Sequence, residues 1–389
     1  MKFAFVVQRY GQEIAGGSES HCRQLAERLA PRHDITVLTT CARDYVTWAN
    51  AYVPGTATEQ GVRVMRFPVS RPRRLKAFAD LSDEVFDGGA PREMQEDWFR
   101  ANGPEAQELL DHLRAHGSEY DLVVFWAYRY YPSYFGVPLV PGRAVLVPTA
   151  EEDPAIDLDV LAEFFRKPAG YLFLTPEEKA LVSSRAGGLS VPNAVIGIGL
   201  EPAPQAPQAV LAPQAPQAPY VLYLGRVDRN KGCETLLEYF QQFADTNDQV
   251  TLVLAGPAKM QVPAHPRIRA LGYVSDEARE SLLTNATALV VPSPYESLSI
   301  VLLEAWNHGV PAVVNAGCKV LAGQVRRANG GLTYRSSAEF TEALAYLLSH
   351  AGARDALGRQ GLAYVEREYR WPTVLGRVEA LLNEVKERR

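Results

Sequence analysis

Residues Val291–Asn315 read VPSPYESLSIVLLEAWNHGVPAVVN. The short apolar run Ala288–Val291 enters this stretch as a strand and opens into a Pro/Ser loop. A helix follows over Ser299–Asn307; Gly309-Val310-Pro311 stops it and starts a second buried strand at Ala312–Val314. Alternation of this kind specifies a parallel sheet with helices on both faces. The helix start near Ser297, Leu298 and Ser299 presents unpaired N–H groups and a partial positive charge, which suits a phosphate. Glu296 stands at the loop mouth and Glu304 one to two turns into the helix. A carboxylate accepts several hydrogen bonds, so Glu304 can hold the vicinal hydroxyls of a ribose and Glu296 those of a second sugar. The alternative is a Glu304 that pairs with Lys or Arg on a solvated helix face. Leu302, Leu303, Ala305 and Trp306 around it argue for a buried setting instead.

Upstream, Leu224-Gly225-Arg226-Val227-Asp228-Arg229-Asn230-Lys231-Gly232 joins a strand, Tyr220–Leu224, to a helix, Gly232–Phe243. Arg226 and Lys231 on this loop can neutralise a diphosphate, Arg through planar paired contacts and Lys as a point charge. Alone, the loop reads equally well as a solvated basic turn; beside the Glu296/Glu304 segment it reads as a binding loop. Gly16-Gly17 occupies the first strand–helix turn, after Phe3–Val7, where glycines let backbone N–H groups approach a phosphate. Ser18 is the expected cap of the following helix, whose apolar face is Cys22, Leu25, Ala26 and Leu29. There is no full GxGxxG and no acidic residue placed for an NAD ribose, which disfavours a dehydrogenase.

The N-terminal half continues the alternation, with strands at Ile35–Thr39, around Val62–Phe67, and at Leu122–Trp126, Ala144–Val147 and Tyr171–Leu174. Thr175-Pro176-Glu177-Glu178 is a capping box with Pro at the first helical position. Glu201–Pro219, EPAPQAPQAVLAPQAPQAP, breaks the pattern as a semi-rigid linker, with a docking motif for a proline-reading partner as the alternative. The alternation then resumes to Ala312–Val314, and helices near Ala338–Leu348, Arg354–Glu368 and Thr373–Lys386 finish the chain. The domains are thus 1–200 together with a returning C-terminal helix at 373–389, a linker at 201–219, and 220–372. Each domain is a doubly wound, Rossmann-like α/β unit. In open α/β sheets, ligands bind at the C-terminal strand edges, which in a two-domain chain can face a shared cleft.

The chain has 389 residues, 47% hydrophobic and 22% charged, which bounds it to about two globular domains. Its formal net charge of −5 argues against coating nucleic acid. No apolar run approaches the ~20 residues of a membrane span. The four cysteines, Cys22, Cys41, Cys233 and Cys318, are widely spaced without a CxxC pair, which disfavours a disulfide scaffold or zinc cluster and favours a reducing cytoplasm.

Nearly the whole chain resembles the retaining glycosyltransferases of family 4, which have the two-domain GT-B fold. Glu296-x7-Glu304 matches that family's EX7E motif, GR-x-D-x-x-KG at residues 225–232 its donor-phosphate loop, and Gly16-Gly17 its N-terminal glycine loop. Leu271-Gly272-Tyr273-Val274 and Val291-Pro292-Ser293 match in position and type. The resemblance implies a metal-independent transfer of sugar from a nucleoside diphosphate to a saccharide, lipid-linked or small-molecule acceptor, with retention and without a cofactor. Arg226 and Lys231 would hold the diphosphate, Gly17 and the N–H groups of Ser297, Leu298 and Ser299 its oxygens, Glu304 the ribose and Glu296 the transferred sugar. The C-terminal helix would cross back to the N-terminal domain.

Three positions depart from the family pattern. Ser297-Leu298-Ser299 replaces a Gly-Phe-Gly-like run and narrows the donor-sugar pocket. Glu151, in Ala150-Glu151-Glu152-Asp153, stands where relatives carry a histidine; it is a candidate catalytic carboxylate, and the alternative is an acidic helix start. Asn193-Ala194-Val195-Ile196-Gly197 replaces an Asn-Gly-Val-Asp run. The aromatic loop Trp126–Tyr134 offers Tyr128, Arg129 and Tyr130 as an acceptor wall, with core packing as the alternative. His21 reads as structural. The basic run Arg71–Lys76 is either a solvated loop or a contact for an anionic membrane face or phosphorylated acceptor. The rival functions are a catalytically impaired homologue that binds nucleotide or carbohydrate, and an epimerase of the same fold. Oligomeric state is not readable from the sequence.

Overall fold

The computed structural model describes residues 1–14, 16–204, 219–247 and 249–389. Most of the expected linker, residues 205–218, lies outside the described residues. The chain divides into two compact units, Met1–Gly197 with Val374–Arg389, and Ile198–Thr373.

The first unit carries β1 (Lys2–Val6), α1 (Gly17–Leu29), β2 (Asp34–Thr40), β3 (Gly55–Glu59), β4 (Val62–Phe67), α2 (Leu75–Phe86), α3 (Arg92–Asn102), α4 (Gln107–His116), β5 (Leu122–Trp126), α5 (Tyr131–Gly136), β6 (Ala144–Val147), α6 (Val160–Phe164), β7 (Gly170–Phe173), α7 (Pro176–Ala186) and β8 (Asn193–Val195). Its eight strands run in the order β3-β4-β2-β1-β5-β6-β7-β8, all parallel except the β3–β4 hairpin. Phe3 of β1 pairs with Ile35 of β2 on one side and Leu122 of β5 on the other. Strand order therefore reverses at the β1/β5 boundary.

The second unit carries β9 (Tyr220–Leu224), α8 (Cys233–Ala244), β10 (Thr251–Ala255), β11 (Ile268–Gly272), α9 (Asp276–Asn285), β12 (Ala288–Val291), α10 (Ile300–Asn307), β13 (Ala312–Asn315), α11 (Lys319–Ala328), β14 (Gly331–Tyr334), α12 (Ser337–Ser349) and α13 (Ala351–Glu368). Its parallel sheet has the order β11-β10-β9-β12-β13-β14, and its direction of winding switches between β9 and β12. Leu236, Leu237, Phe240 and Phe243 on α8 join Val221, Leu252 and Val313 from the strands in one buried core. Gly199 lies so close to Trp371 that a Cβ would fall 2.2 Å from the indole, and Leu200 N–H donates to Tyr369. These contacts group Ile198–Glu201 with the second unit, a little earlier than the sequence boundary at 200.

The last helix, α14 (Trp371–Glu387), belongs to the first unit from Val374 onward. There Glu379 accepts from Arg32 at 3.0 Å and contacts the His33 ring at 2.9 Å, Lys386 pairs with Asp121 at 3.0 Å, and Val385 fills the space beside Gly170.

Two helix starts test the capping expectations. Ser18 does not cap α1: Gly16 is the cap residue, and the Ser18 hydroxyl lies inside the helix, bonded to Glu19 and Gln8. Thr175 does cap α7, accepting from Glu178 N–H at 3.1 Å. Glu178 is buried, and its carboxyl accepts from Leu174 N–H at 2.6 Å and, across to the loop after β6, from Ala150 N–H at 2.7 Å. Burial pushes its pKa up from 4.5 to about 8, against the opposing pull of these backbone donors.

Loss of the carboxyl in Glu178→Ala leaves two buried N–H groups unpaired, each costing about 1–3 kcal/mol. The variant should therefore lose on the order of 2–6 kcal/mol in urea unfolding. Between about 4.5 and 8 the folded chain holds a Glu178 proton that the unfolded chain has released. This contribution makes stability fall as the pH rises through that window. Urea midpoints at about pH 5 and about pH 9 should thus diverge more for wild type than for Glu178→Gln; equal differences would refute the assignment.

Candidate functional site

The two motif loops of the second unit leave adjacent strands at its switch point. Gly225 after β9 and Gly256 after β10 have φ +138° and +142°, and a Cβ on Gly256 would lie 2.0 Å from the Gly225 carbonyl oxygen. The loop is then tied down: Val227 N–H donates to Pro257 O at 3.0 Å, Lys259 N–H to Val227 O at 2.8 Å, and the Tyr223 hydroxyl to Arg226 O at 2.6 Å. Asp228 caps a short turn, accepting from Lys231 N–H at 3.0 Å. Gly232 has φ +73°, and a Cβ there would meet the Pro292 carbonyl oxygen at 2.3 Å. The GR…KG loop therefore lies backbone-to-backbone against the start of the loop that bears Glu296. Lys231 Nζ reaches Glu296 Oε1 at 2.8 Å. Arg226 is half-exposed, 3.6 Å from Asp228 Oδ2.

Helix α10 starts at Ile300, with Ser299 as an extended cap residue. Ser299 N–H, expected to meet a phosphate, donates instead to Gln324 Oε1 of α11 at 3.1 Å. Gln324 is buried, and both its amide nitrogen and the Ser299 hydroxyl lack a partner among the described residues. Leu298 is buried; of the three residues at this start, Ser297 is the half-exposed one. Glu304 is ion-paired with Arg279 of α9. Burial pushes its pKa up while the guanidinium pulls it down. The alternative weighed for Glu304, a basic partner, is thus present, though in a buried setting rather than on a solvated face. A carboxylate accepts about four hydrogen bonds, so Arg279 orients Glu304 without exhausting it. Neither Arg279 nor Gln324 carries a local signal; each is known only through its partner in space.

In the first unit, the glycine loop follows β1 and the aromatic loop follows β5, so they flank that sheet's switch point. Gly16 is extended, and it is small because Glu19 crowds it: a Cβ would lie 2.1 Å from Glu19 Oε2. The buried Glu19 accepts from Arg9 at 2.6 and 2.8 Å, and the Arg9 cation lies over Tyr45 and Trp48. The start of α1, where Gly17 was expected to meet phosphate, is thus already faced by a neutralised carboxylate. Arg9 and Glu19 went unnoticed in the sequence because their pairing spans the loop.

Tyr128 is buried against Phe165, so it cannot form an acceptor wall; core packing, the alternative, holds for it. Arg129 pairs with Asp153 at 2.6 Å, and Tyr130 packs edge-on to Trp48. The strand exits bend through left-handed backbone at Ala127 and Thr149, with φ +60° and +48°. Just beyond, Glu178 pins Ala150 N–H, which fixes the loop that carries the half-exposed Glu151. Asp153 opens a single 3-10 turn, Pro154–Asp157, without capping it through its side chain. His21 is buried, accepts from Trp126 at 3.3 Å, and has its pKa pushed down to about 4 by burial, in keeping with a structural role. In the basic run, Arg73 turns inward onto Asn102 O and over Trp48 and Phe78, and burial lowers its pKa to about 10. Arg73 is therefore not available to a membrane surface.

All four cysteines are free and buried. Among the described residues no group of three or more His, Cys, Asp or Glu could hold a metal, and no helix is long and apolar enough to cross a membrane.

Residues 218–350 match the family model described as Glycosyl transferases group 1. An uncharacterized glycosyltransferase of Methanocaldococcus jannaschii is 22% identical over 406 residues, covering 96% of each chain. Among solved structures, sucrose-phosphate synthase from Thermosynechococcus elongatus superposes with a TM-score of 0.74 at 19% identity, covering 100% of both chains. An alpha,alpha-trehalose-phosphate synthase (UDP-forming) from Burkholderia vietnamiensis gives 0.73 at 15% identity, over 98% of this chain and 100% of that one. The chain has the two-domain GT-B fold, and the match to the glycosyl transferases group 1 model falls within its second unit.

Proposed function

We propose that the chain is a retaining glycosyltransferase of the family 4 type, which moves a sugar from a nucleoside diphosphate to a saccharide, lipid-linked or small-molecule acceptor. The observation that carries this reading is the meeting of the two motif loops at the second unit's switch point, where Lys231 sits 2.8 Å from Glu296. An incoming diphosphate offers Lys231 and Arg226 more negative charge than their present carboxylate partners. Lys231 then exchanges Glu296 for phosphate oxygen, and Glu296 is released to the hydroxyls of the donor sugar. The N–H groups at the start of α10 add partial positive charge. Glu304, steadied by Arg279, accepts from the ribose.

In the transfer, the bond from the anomeric carbon to the diphosphate oxygen breaks and that carbon takes on oxocarbenium character. The acceptor oxygen bonds to it from the same face, and the acceptor proton passes to the departing phosphate oxygen. Arg226 and Lys231 stabilise the leaving charge, so the reaction needs no resident metal. Glu151 is assigned the part of the family histidine, as a carboxylate that steadies positive charge at the anomeric carbon. Arg129 and Tyr130 remain the acceptor-side residues. A second reading, a homologue that binds nucleotide without transfer, draws on Glu151 at that position and on the ion pairs already made by Lys231 and Glu304. A peripheral membrane contact would rest on Arg74 and Lys76, which stay exposed.

Thermal unfolding with UDP, GDP, ADP and TDP tests the donor site, with UDP first because a UDP-forming synthase shares the fold. One nucleotide at about 100-fold its Kd should add about 2.7 kcal/mol. Lys231→Met should weaken that diphosphate by about 10- to 100-fold, the worth of one charge-assisted contact, and weaken the nucleoside little. Glu304→Ala should weaken both. No stabilisation by any nucleotide would refute the assignment.

With the donor identified, transfer should persist in excess EDTA, and the product should keep the donor's anomeric configuration by proton NMR. An inverted product would overturn the retaining mechanism. Reaction without an acceptor would favour the epimerase. Nucleotide binding without turnover would favour the impaired homologue.

A further inference from the structure

Two features of the sequence find no place in the proposed transfer, the outer arginine of the basic run, Arg71, and the last two tyrosines of the aromatic loop, Tyr131 and Tyr134. The fold brings them together. Helices α3, α4, α5 and α6 of the first unit frame a cavity of about 490 Å³, a size typical of small-molecule sites. Arg71, Arg92, Arg100, Arg114 and Lys167 line it, against two lining carboxylates, Glu96 and Glu105. Its apolar wall is Tyr134, Phe135 and Phe164, with Tyr131 beside them. No lining residue is one of those assigned above to the donor or the acceptor side.

The wall is rigid and the cations are exchangeable. Tyr134 stacks on Phe99 at 3.8 Å and on Phe164 at 5.2 Å, and Tyr131 packs against Phe135 at 4.8 Å. The Arg100 guanidinium lies 4.5 Å over the Phe135 ring, which places positive charge directly on the aromatic wall. Arg71 is 73% exposed and pairs with Glu105; Arg92 pairs with Glu96. Asp97, Asp111 and Glu163 reach Arg100, Arg114, Arg92 and Lys167 from outside the lining. Arg71 meets the half-buried Glu105 through two contacts at 2.9 Å; the other exposed pairs contribute little and rearrange readily. A phosphate dianion carries more charge than any one of these carboxylates, and arginine meets it through paired N–H contacts. This concentration of cations occurs in a chain whose net charge is −5.

We infer that the cavity framed by α3–α6 binds a small phosphate ester, its phosphate among Arg71, Arg100 and Arg114 and its organic part against Tyr134 and Phe135. A bare phosphate satisfies only the cations, and an uncharged ring only the wall, so an ester with both is the chemistry that fits. The same chemistry is offered by a soluble metabolite or by a lipid headgroup, and the volume of the cavity, about 490 Å³, favours the soluble ester.

Calorimetric titration of the full chain with phenyl phosphate, inorganic phosphate and phenol tests this, alongside flotation with vesicles of phosphatidylglycerol and phosphatidylcholine. Phenyl phosphate should bind saturably, at least about tenfold more tightly than inorganic phosphate or phenol. The double variant Arg100→Glu/Arg114→Glu should lose at least about tenfold in that affinity while keeping its affinity for the donor nucleotide. Should that variant fail to fold by circular dichroism, Arg71→Gln at the exposed rim replaces it and should weaken binding by a few-fold. Equal affinity for phenyl phosphate and phosphate, binding unchanged in the folded variant, or competition with the nucleotide would each overturn the inference. Vesicle binding without binding of phenyl phosphate would overturn it in favour of a lipid surface.

Discussion

The two motif loops of the second unit depend on backbone meeting backbone where its sheet changes its direction of winding. Gly225 and Gly256 leave neighbouring strands so close together that a Cβ on Gly256 would collide with the Gly225 carbonyl, and Gly232 rests on the Pro292 carbonyl. A carbonyl oxygen fixed by a strand exit cannot yield as a side chain can, so these distances set the positions of Arg226, Lys231 and Glu296. The cations are placed by the sheet, through glycines that carry no chemistry of their own. This is how a loop acquires the precision of a strand: its ends are anchored at adjacent strand termini and its middle is hydrogen-bonded to Pro257 and Lys259.

The first unit solves the corresponding problem differently. Its strand exits after β5 and β6 turn through left-handed backbone at Ala127 and Thr149, residues with a Cβ. Such turns are unfavourable for ordinary side chains and persist where the surroundings hold them. The holding groups are identifiable. Ala127 and Tyr128 N–H groups donate to Val147 and Pro148, Glu178 takes the Ala150 N–H, and Arg129 ties itself to Asp153. A buried carboxyl thus does for the Glu151 loop what glycine does for the Lys231 loop.

Much of this was legible in the sequence where the signal is local. Strands β6, β9 and β12 lie at the residues expected for them, since each is a short apolar run bounded by Gly, Pro or polar residues. The capping box at Thr175 was likewise readable, because a cap is defined over four residues. Helices α2 to α4 were not read; α3, REMQEDWFRAN, is largely polar and buries only Gln95, Trp98, Phe99 and Asn102. The exposed edge strand β3, GTATE, has no apolar alternation to find. Helix α11 was masked by a glycine at its centre, Gly323, which packs inside the fold. The missed site residues share one property. Arg279, Gln324, Arg9 and Glu19 act through partners across a loop or an element, and no spacing rule links such residues. Tyr128 failed for the reverse reason: an aromatic loop looks the same in sequence whether its rings face the core or a sugar.

The pairing of each site charge with another protein charge follows from burial. An isolated carboxylate at Glu304 or Glu296, or an isolated ammonium at Lys231, would be costly in a partly desolvated pocket. Arg279 and Glu296 remove that cost. Their consequences for a ligand differ. In the proposed transfer Lys231 would leave Glu296 to reach a diphosphate, so the pair would oppose binding until a stronger anion arrives and free Glu296 at that moment. Arg279 stands on the neighbouring helix α9, so in the same proposal it would stay with Glu304 and keep the carboxylate oriented while a diol binds. On that proposal one ion pair would work as an exchange and the other as a brace, and the distinction rests on which partner stands on a loop and which on a helix.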